Sequence, residues 1–470
     1  VFILLLPLKL KANGEKVYFF IPIILGFLLN GCMQTNYPFS ETQITFSPYN
    51  HSLDNNDNFS PDNMWLVYDT RTNNGGIRRG KTIEKVNIST KEIVTIYSAP
   101  GASETGPGTG AVSYHPIENK IIFIHGLLNH SRDKPYEKWR RFGMLVDEDN
   151  PTHPIVTDAR DVLFPFTSGA LRGGTHRHEF SGDGQWIGFT YNDAVMADKG
   201  KKYNLRTIGV TKLNHPVSIS GENDRGNFSG AGTSALVVRV TSEPGPGSDE
   251  ISHAADDSWV GKHGYKKPDG TMQLARAFLG TVLSTGRKNV KELFIVDIPA
   301  DLTNPGPFGP LSGTTDIMPM PPEGTLQRRL TFTTSSPFPG CSGIVRSNPE
   351  GTTIAYLAKD KNGIDQVFLM SPLGDNPRQL TSFDNPVQSG VRWHPDGTHV
   401  CFLWNNSIVI TNVKDKSWKK IISPTQPKPS ALVWSHDGRT IAYNRNIPDE
   451  KSGKSFAQIF VIFINDNYLP

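Results

Sequence analysis

The feature that most constrains this chain is a short turn signature that returns along it, each time ahead of an apolar strand. Trp434-Ser435-His436-Asp437-Gly438 precedes Thr440-Ile441-Ala442-Tyr443, and Trp393-His394-Pro395-Asp396-Gly397 precedes His399-Val400-Cys401-Phe402. Ser347-Asn348-Pro349-Glu350-Gly351 precedes Thr353-Ile354-Ala355-Tyr356, and Phe180-Ser181-Gly182-Asp183-Gly184 precedes Trp186-Ile187-Gly188-Phe189. Phe59-Ser60-Pro61-Asp62-Asn63 and Tyr114-His115-Pro116 open two more copies, and Pro268-Asp269-Gly270 opens a weaker seventh. The Asp-Gly or Asn-type pair supplies the positive φ of a tight turn. The strand behind it is rich in β-branched and aromatic residues, which suit a half-buried pleated surface.

In most copies two further strands follow, as in 366–370 and then 378–381. From residue 345 onward the unit returns every 41 to 46 residues, the spacing of a four-stranded propeller blade. Seven signals predict an all-β fold, a seven-bladed β-propeller around a channel. Six or eight blades stay compatible, because insertions stretch the earlier units. The last blade supplies three strands before residue 470. Gln43-Ile44-Thr45-Phe46 echoes the outer strands Gln379-Leu380-Thr381 and Arg329-Leu330-Thr331. An N-terminal strand is therefore expected to pair with the last blade and remove an open edge. The 44 glycines and 35 prolines fit many short strands, and no helix-length 3.6-residue period competes.

Residues 17–29 are an apolar run behind Lys9, Lys11 and Lys16, too short for a span of about 20 residues. The run ends in Leu29-Asn30-Gly31-Cys32, which resembles a bacterial lipobox. The expected organisation is a signal peptide with lipobox over 1–32, a tether over 33–41 and one propeller domain over 42–470. Residues 1–8 read as an over-extended gene start. Acylation at Cys32 would give a membrane lipid anchor. Met33 in place of Asp favours an outer-membrane lipoprotein facing the periplasm or the surface. Cys341 and Cys401 are too few for a disulfide scaffold. Cys401 reads as a small core hydrophobe, and a bridge to Cys341 stays open. With 48 basic and 45 acidic residues the net charge is +3, and no basic face points to nucleic acid. A monomer is expected.

Blade topology tells which residues converge. His176 and His178 open an inner strand, and Tyr191, Asn192 and Asp193 close the next one. His125 closes a second strand one blade earlier. All fall on one mouth of the channel, where the insertions 125–140 and 192–203 also leave, so this mouth is the expected ligand-binding cleft. His176-x-His178 places two imidazoles on one face of a strand. The pair would share a divalent metal or a substrate proton, with a third ligand from His125, Asn192 or Asp193. The competing reading is a hydrogen-bonded channel wall. The acidic stretch 248–264 reads as a solvated insertion or a lid. Residues 54–58 have the composition of a calcium loop without its pattern, and 106–110 reads as a turn rather than a phosphate loop. The chain has no Gly-x-Ser-x-Gly elbow, which excludes a prolyl-peptidase arrangement.

The repeats resemble the TolB-type blade motif of bacterial envelope propellers. Gly173-Gly174-Thr175-His176-Arg177-His178-Glu179-Phe180-Ser181, Phe189-Thr190-Tyr191-Asn192-Asp193, Pro246-Gly247-Ser248-Asp249-Glu250-Ile251, Trp259-Val260-Gly261 and Phe294-Ile295-Val296-Asp297 resemble a YidR-like bacterial family of unknown function. That resemblance implies a propeller in an envelope setting and brings no reaction. Two functional expectations follow, and whether the chain is an enzyme stays open between them. The first is a binding propeller presenting its channel face to a protein or glycan. The second is a polysaccharide lyase similar in architecture to oligogalacturonate lyases, with His176 and His178 as ligands or base, His125 and Asn192 as helpers and Arg206 as carboxylate clamp. A hydrolase using Asp193 with Glu179 is a lesser third.

Overall fold

The computed structural model describes residues 3–12, 15–24, 39–54, 57–221, 226–465 and 468–470. The chain divides into two units, Val1–Pro38 and Phe39–Pro470. In the first, Ile3–Ala12 and Glu15–Ile24 pair as an antiparallel hairpin. The lipidation expected at Cys32 lies outside the described residues.

The second unit is a propeller of seven blades. Blade 1 holds Trp65–Asp69, Thr82–Asn87 and Ile93–Ser98, with residues 57–60 as its inner edge through the Phe59–Leu66 bridge. Blade 2 holds Thr109–Tyr114, Lys120–Gly126, Arg141–Asp147 and Ile155–Val156. Blade 3 holds Gly173–Phe180, Trp186–Asp193, Arg206–Val217 and Gly230–Leu236, and blade 4 holds Ile251–Trp259, Ala275–Leu283, Asn289–Asp297 and Leu326–Arg329. Blade 5 runs from Cys341–Ser347 to Arg378–Gln379 and blade 6 from Arg392–Trp393 to Trp418–Lys420. Blade 7 holds Ser430–Trp434, Thr440–Pro448 and Ser455–Phe463, and Thr42–Gln43 completes it. The first strand of the ring thus closes the last blade, as the sequence predicts. Packing begins slightly before the expected start at 42: Phe39 meets the Tyr468 ring at 4.9 Å and Glu41 accepts from Arg445 Nε at 3.0 Å.

Every strand buries one face against the next blade, so the core is a circle of sheet-to-sheet layers. Ile208, Val210, Phe278 and Phe294 fill the layer between blades 3 and 4, and Leu403, Ile410, Ile441 and Ile462 the one between blades 6 and 7. Cys341 and Cys401 are buried and free, each packed in such a layer, which answers the question of a bridge.

The repeated turn works as a small cassette. Ser60, Ser181 and Ser435 each donate to the Asp two residues on, at 2.5 Å. Each Ser Oγ also accepts the backbone N–H that starts the second strand, from Trp65, Trp186 and Thr440. The turn glycine then takes positive φ, 72° at Gly184. A Cβ there would also meet His115 Nε2 at 1.8 Å. Gly184→Ala is expected to cost about 2 kcal/mol from strain and collision, read as a shift in urea midpoint.

Two sequence expectations are corrected. The stretch 248–264 is neither lid nor insertion: Ile251–Trp259 is the inner strand of blade 4, with Asp257 and Trp259 buried. Its acidic residues hid its alternating apolar ones. Pro268-Asp269-Gly270 is not a tight turn by itself but the tip of an extra hairpin, Tyr265–Lys266 against Met272–Gln273, within the connection between the first two strands of blade 4.

Candidate functional site

The inner strands run from one mouth of the channel to the other. The repeated turns gather at one mouth; the loops after the second strands, 127–140 and 194–205, leave from the other. Five inner strands carry a bulge on the way. Pairing slips between Gly110 and Ser113, His176 and Glu179, Ala255 and Ser258, Ser342 and Arg346, and Ser430 and Val433. One residue in each slip has positive φ: Ala111, Arg177, Asp256, Gly343 and Ala431. A bulge inserts an unpaired residue and bends the strand.

That bulge separates His176 from His178. In an unbroken strand they would face one way; with Arg177 inserted they take different partners. His176 Nδ1 accepts from Arg206 Nη2 at 2.9 Å, and its carbonyl accepts from Thr190 Oγ1 at 3.2 Å. His178 Nε2 meets Thr175 Oγ1 at 2.9 Å, and Thr175 donates to Asp158 Oδ2 at 3.1 Å. Burial first, then Arg141, Arg206 and Arg177, hold His176 well below the usual histidine range. Burial and Arg141 bring His178 down to about 3. Burial raises the Asp158 carboxyl to about 7, against its bonds from Gly143 N, Thr157 and Thr175.

Three guanidiniums therefore surround one neutral imidazole. Arg141 Nε, Arg206 Nε and Arg177 Nη2 are buried and have no hydrogen-bond partner. With Nδ1 accepting from Arg206, the proton of neutral His176 sits on Nε2. That nitrogen is then a donor, which suits an anion better than the base suggested by the sequence.

The other expected residues serve the scaffold. His125 Nδ1 meets Gly126 O at 2.6 Å and Nε2 meets Tyr97 Oη at 3.0 Å, and burial lowers it to about 4. Tyr191 Oη donates to Asp193 Oδ2 at 3.1 Å. Asp193 caps the helix Ala194–Lys199 through Met196 N and accepts from Arg172 Nε at 2.8 Å. Arg172 in turn holds the carbonyls of Thr314 and Ile317. Asn192 Nδ2 donates to Asn204 at 3.1 Å, and its Oδ1 is buried without a partner. The Asp193–Glu179 pairing fails on distance. Asp193 pairs with Gly173 and Glu179 with Gly188, at opposite ends of one hairpin, roughly 17 Å apart at about 3.3 Å per residue.

Sequence reasoning missed the middle of the channel. Arg276 donates to Asp257 Oδ2 through Nε at 2.9 Å and to Glu179 Oε2 through Nη2 at 3.1 Å. Arg177 Nη1 donates to Asp257 O at 2.9 Å, and Arg392 Nε to Leu432 O at 2.7 Å. A signal was available: Glu179, Arg346 and Arg392 each stand immediately before the first residue of a turn signature, in Glu-Phe-Ser, Arg-Ser-Asn and Arg-Trp-His.

Fold and lining together define a class: a closed seven-bladed propeller with an arginine-rich bore. Residues 108–227 match the family described as a protein of unknown function, DUF3748. The chain is 40% identical over 409 residues to the uncharacterized protein YidR of Escherichia coli (strain K12), covering 85% of this chain and 94% of that protein. The chain belongs to the YidR family. Among solved structures, an oligogalacturonate lyase in complex with manganese aligns at a TM-score of 0.54 and 12% identity, over 92% of this chain and 95% of its own. An oligogalacturonate lyase from Vibrio parahaemolyticus aligns at 0.52 and 10% identity, over 99% and 98%. At those identities the likeness is one of fold.

The manganese of that neighbour invites a fit test. His176 and His178 do not fit a cation: one nitrogen of each is engaged, and Arg141, Arg177 and Arg206 repel positive charge. Among the described residues the group close enough to hold an ion is His394, Asp396 and His399, with ligand atoms within 4.8 Å of one another. It is the blade 6 version of the turn cassette, with His394 in the place of Ser. Asp396 Oδ2 meets His394 Nδ1 at 3.1 Å and His399 Nδ1 at 2.7 Å. The outer nitrogens face the Gly438 and Pro470 carbonyls at 3.1 and 3.0 Å. All four imidazole nitrogens are thus already engaged.

Proposed function

We propose that this protein is a cell-envelope binding propeller, anchored through Cys32, that takes an acidic oligosaccharide at the insertion mouth of its channel. One observation carries the reading. Arg141, Arg177 and Arg206 bring buried, unpartnered donors around a neutral His176. Buried donors without partners cost free energy, and a carboxylate that accepts from them recovers it. A uronate offers that carboxylate together with hydroxyls for the surrounding polar groups. The rival reading is elimination. It would break the C5–H bond of a uronate, pass that proton to a base, form a C4–C5 double bond and release the C4 oxygen. His176, already accepting from Arg206, is not placed as that base.

Titration calorimetry with trigalacturonate, and with a neutral galactose trimer as control, tests the proposal. Salt-sensitive binding of the acidic trimer alone is expected. Arg206→Gln should weaken it about tenfold or more, since a charge-assisted hydrogen bond contributes about 1.5–3 kcal/mol. Equal affinity for the neutral trimer, or none for either, overturns the proposal. Growth of ultraviolet absorbance from an unsaturated product would replace binding by elimination.

A further inference from the structure

We propose that the opposite mouth of the channel, ringed by the repeated turns, is a second ligand site that takes a short peptide with both termini free. It lies at the other end of the bore from His176 and does not rest on the preceding reading.

The mouth holds a cavity of about 400 Å³, within the range of about 300–1,000 Å³ usual for small-ligand sites. Its rim comes from the repeat itself: Pro61, Pro116, Pro349 and Pro395 are the prolines of four turn signatures. Trp259, Trp393 and Trp434 form its walls. Two of these indoles are pinned, Trp259 Nε1 by the Glu179 carbonyl and Trp393 Nε1 by the Arg346 carbonyl, both at 3.0 Å. Fixed indole faces beside proline rings suit apolar side chains.

The polar lining carries both signs of charge. Asp57 and Glu179 supply carboxylates, Arg346 and Arg392 guanidiniums. Burial raises the Asp57 carboxyl against the charges of His436, Arg346 and Arg392, and burial with Arg392 and Arg177 lowers Arg346 against Glu179 and Asp257. Arg392 Nη1 is buried without a partner. A cation favours the ionised form of the buried Asp57 carboxyl, and an anion accepts from the open Arg392 Nη1. One ligand carrying an ammonium at one end and a carboxylate at the other meets both needs while adding no net charge. The cavity exceeds a single amino acid, and its indole walls have room for side chains between the two ends. An oligosaccharide, which lacks the ammonium, answers only half of this lining.

Tryptophan fluorescence of the full chain reads the site directly, because three of the eight tryptophans line it. The probe is the dipeptide Leu-Phe, compared with its N-acetylated and C-amidated forms. A saturable change with the unblocked dipeptide is expected, weakened at least tenfold by either block. Arg392→Gln should weaken the unblocked and N-acetylated forms alike and leave the amide, already without its carboxylate, unaffected. No saturable change in the millimolar range, or equal binding of blocked and unblocked peptides, overturns the proposal. The blocked-peptide comparison on the unaltered chain decides the matter even if the variant folds poorly. Trigalacturonate quenching competed away by Leu-Phe would place both ligands at one site and also overturn it.

Discussion

Replacing Arg276 by alanine is expected to remove about 3–5 kcal/mol of folding free energy, the usual cost of leaving a buried charge without its partner. Arg276 is 1% exposed and lies 4.7 Å over the Trp259 ring. It bonds both Asp257 and Glu179, and so links the inner strands of blades 3 and 4. Burial alone would push the Asp257 carboxyl upward, but Arg276 and Arg177 outweigh it and hold it below the usual carboxylate range. The space for the guanidinium is reserved by Gly188, where a Cβ would come within 1.8 Å of Arg276 Nη1. Without Arg276 both carboxylates lose their direct guanidinium partner, and the charge of Arg177 offsets only part of the desolvation of Asp257. Urea unfolding of Arg276→Ala measures the loss. Arg276→Met combined with Asp257→Asn and Glu179→Gln should recover much of it, since the unpaired charges are then gone. A loss below about 1 kcal/mol in the single variant would show that water already reaches the triad.

A chain that begins at residue 47 should lose its cooperative fold and associate, whereas one that begins at Phe39 should keep its fold. Ring closure depends on very few residues. Ile44 N donates to Ile459 O at 2.9 Å, Thr45 Oγ1 donates to Gln458 Oε1 at 2.8 Å, and Ile459 N donates to Thr45 Oγ1 at 2.8 Å. Ile44 is buried between blades 7 and 1 beside Leu53 and Val461. Burying such a side chain contributes about 1.5–3 kcal/mol. The larger loss is the edge of Ser455–Phe463, whose backbone donors and acceptors would face solvent as a template for a second chain. Size-exclusion profiles and urea curves of the two truncations test this. Equal midpoints and equal elution volumes would mean that closure contributes nothing.

Much of the ring could be read from the repeat, because turn chemistry and strand patterning are local. Asp183-Gly184 or Asp437-Gly438 needs no tertiary contact to be recognised. The seven signals match seven blades, and even Pro268-Asp269-Gly270 falls between the first and second strands of blade 4, at the tip of a hairpin that lengthens that turn. The site was less legible. His176 and His178 were expected to face one way because alternation was assumed, and nothing in Thr-His-Arg-His-Glu announces a non-glycine residue at φ 59°. Arg276 and Asp257 meet because Ile251–Trp259 pairs with Ala275–Leu283, and Glu179 joins them from the next blade. The acidity of 248–264 disguised an inner strand, since a buried charge with a partner reads in sequence like an exposed one.

The bulges at Ala111, Arg177, Asp256, Gly343 and Ala431 have a consequence for how such a bore can diversify. The inserted residue belongs to no cross-strand pair, so exchanging it leaves the hydrogen-bond ladder in place. Related propellers can therefore re-tune the charge and width of the bore at five places by single replacements, while the surrounding wheel stays the same.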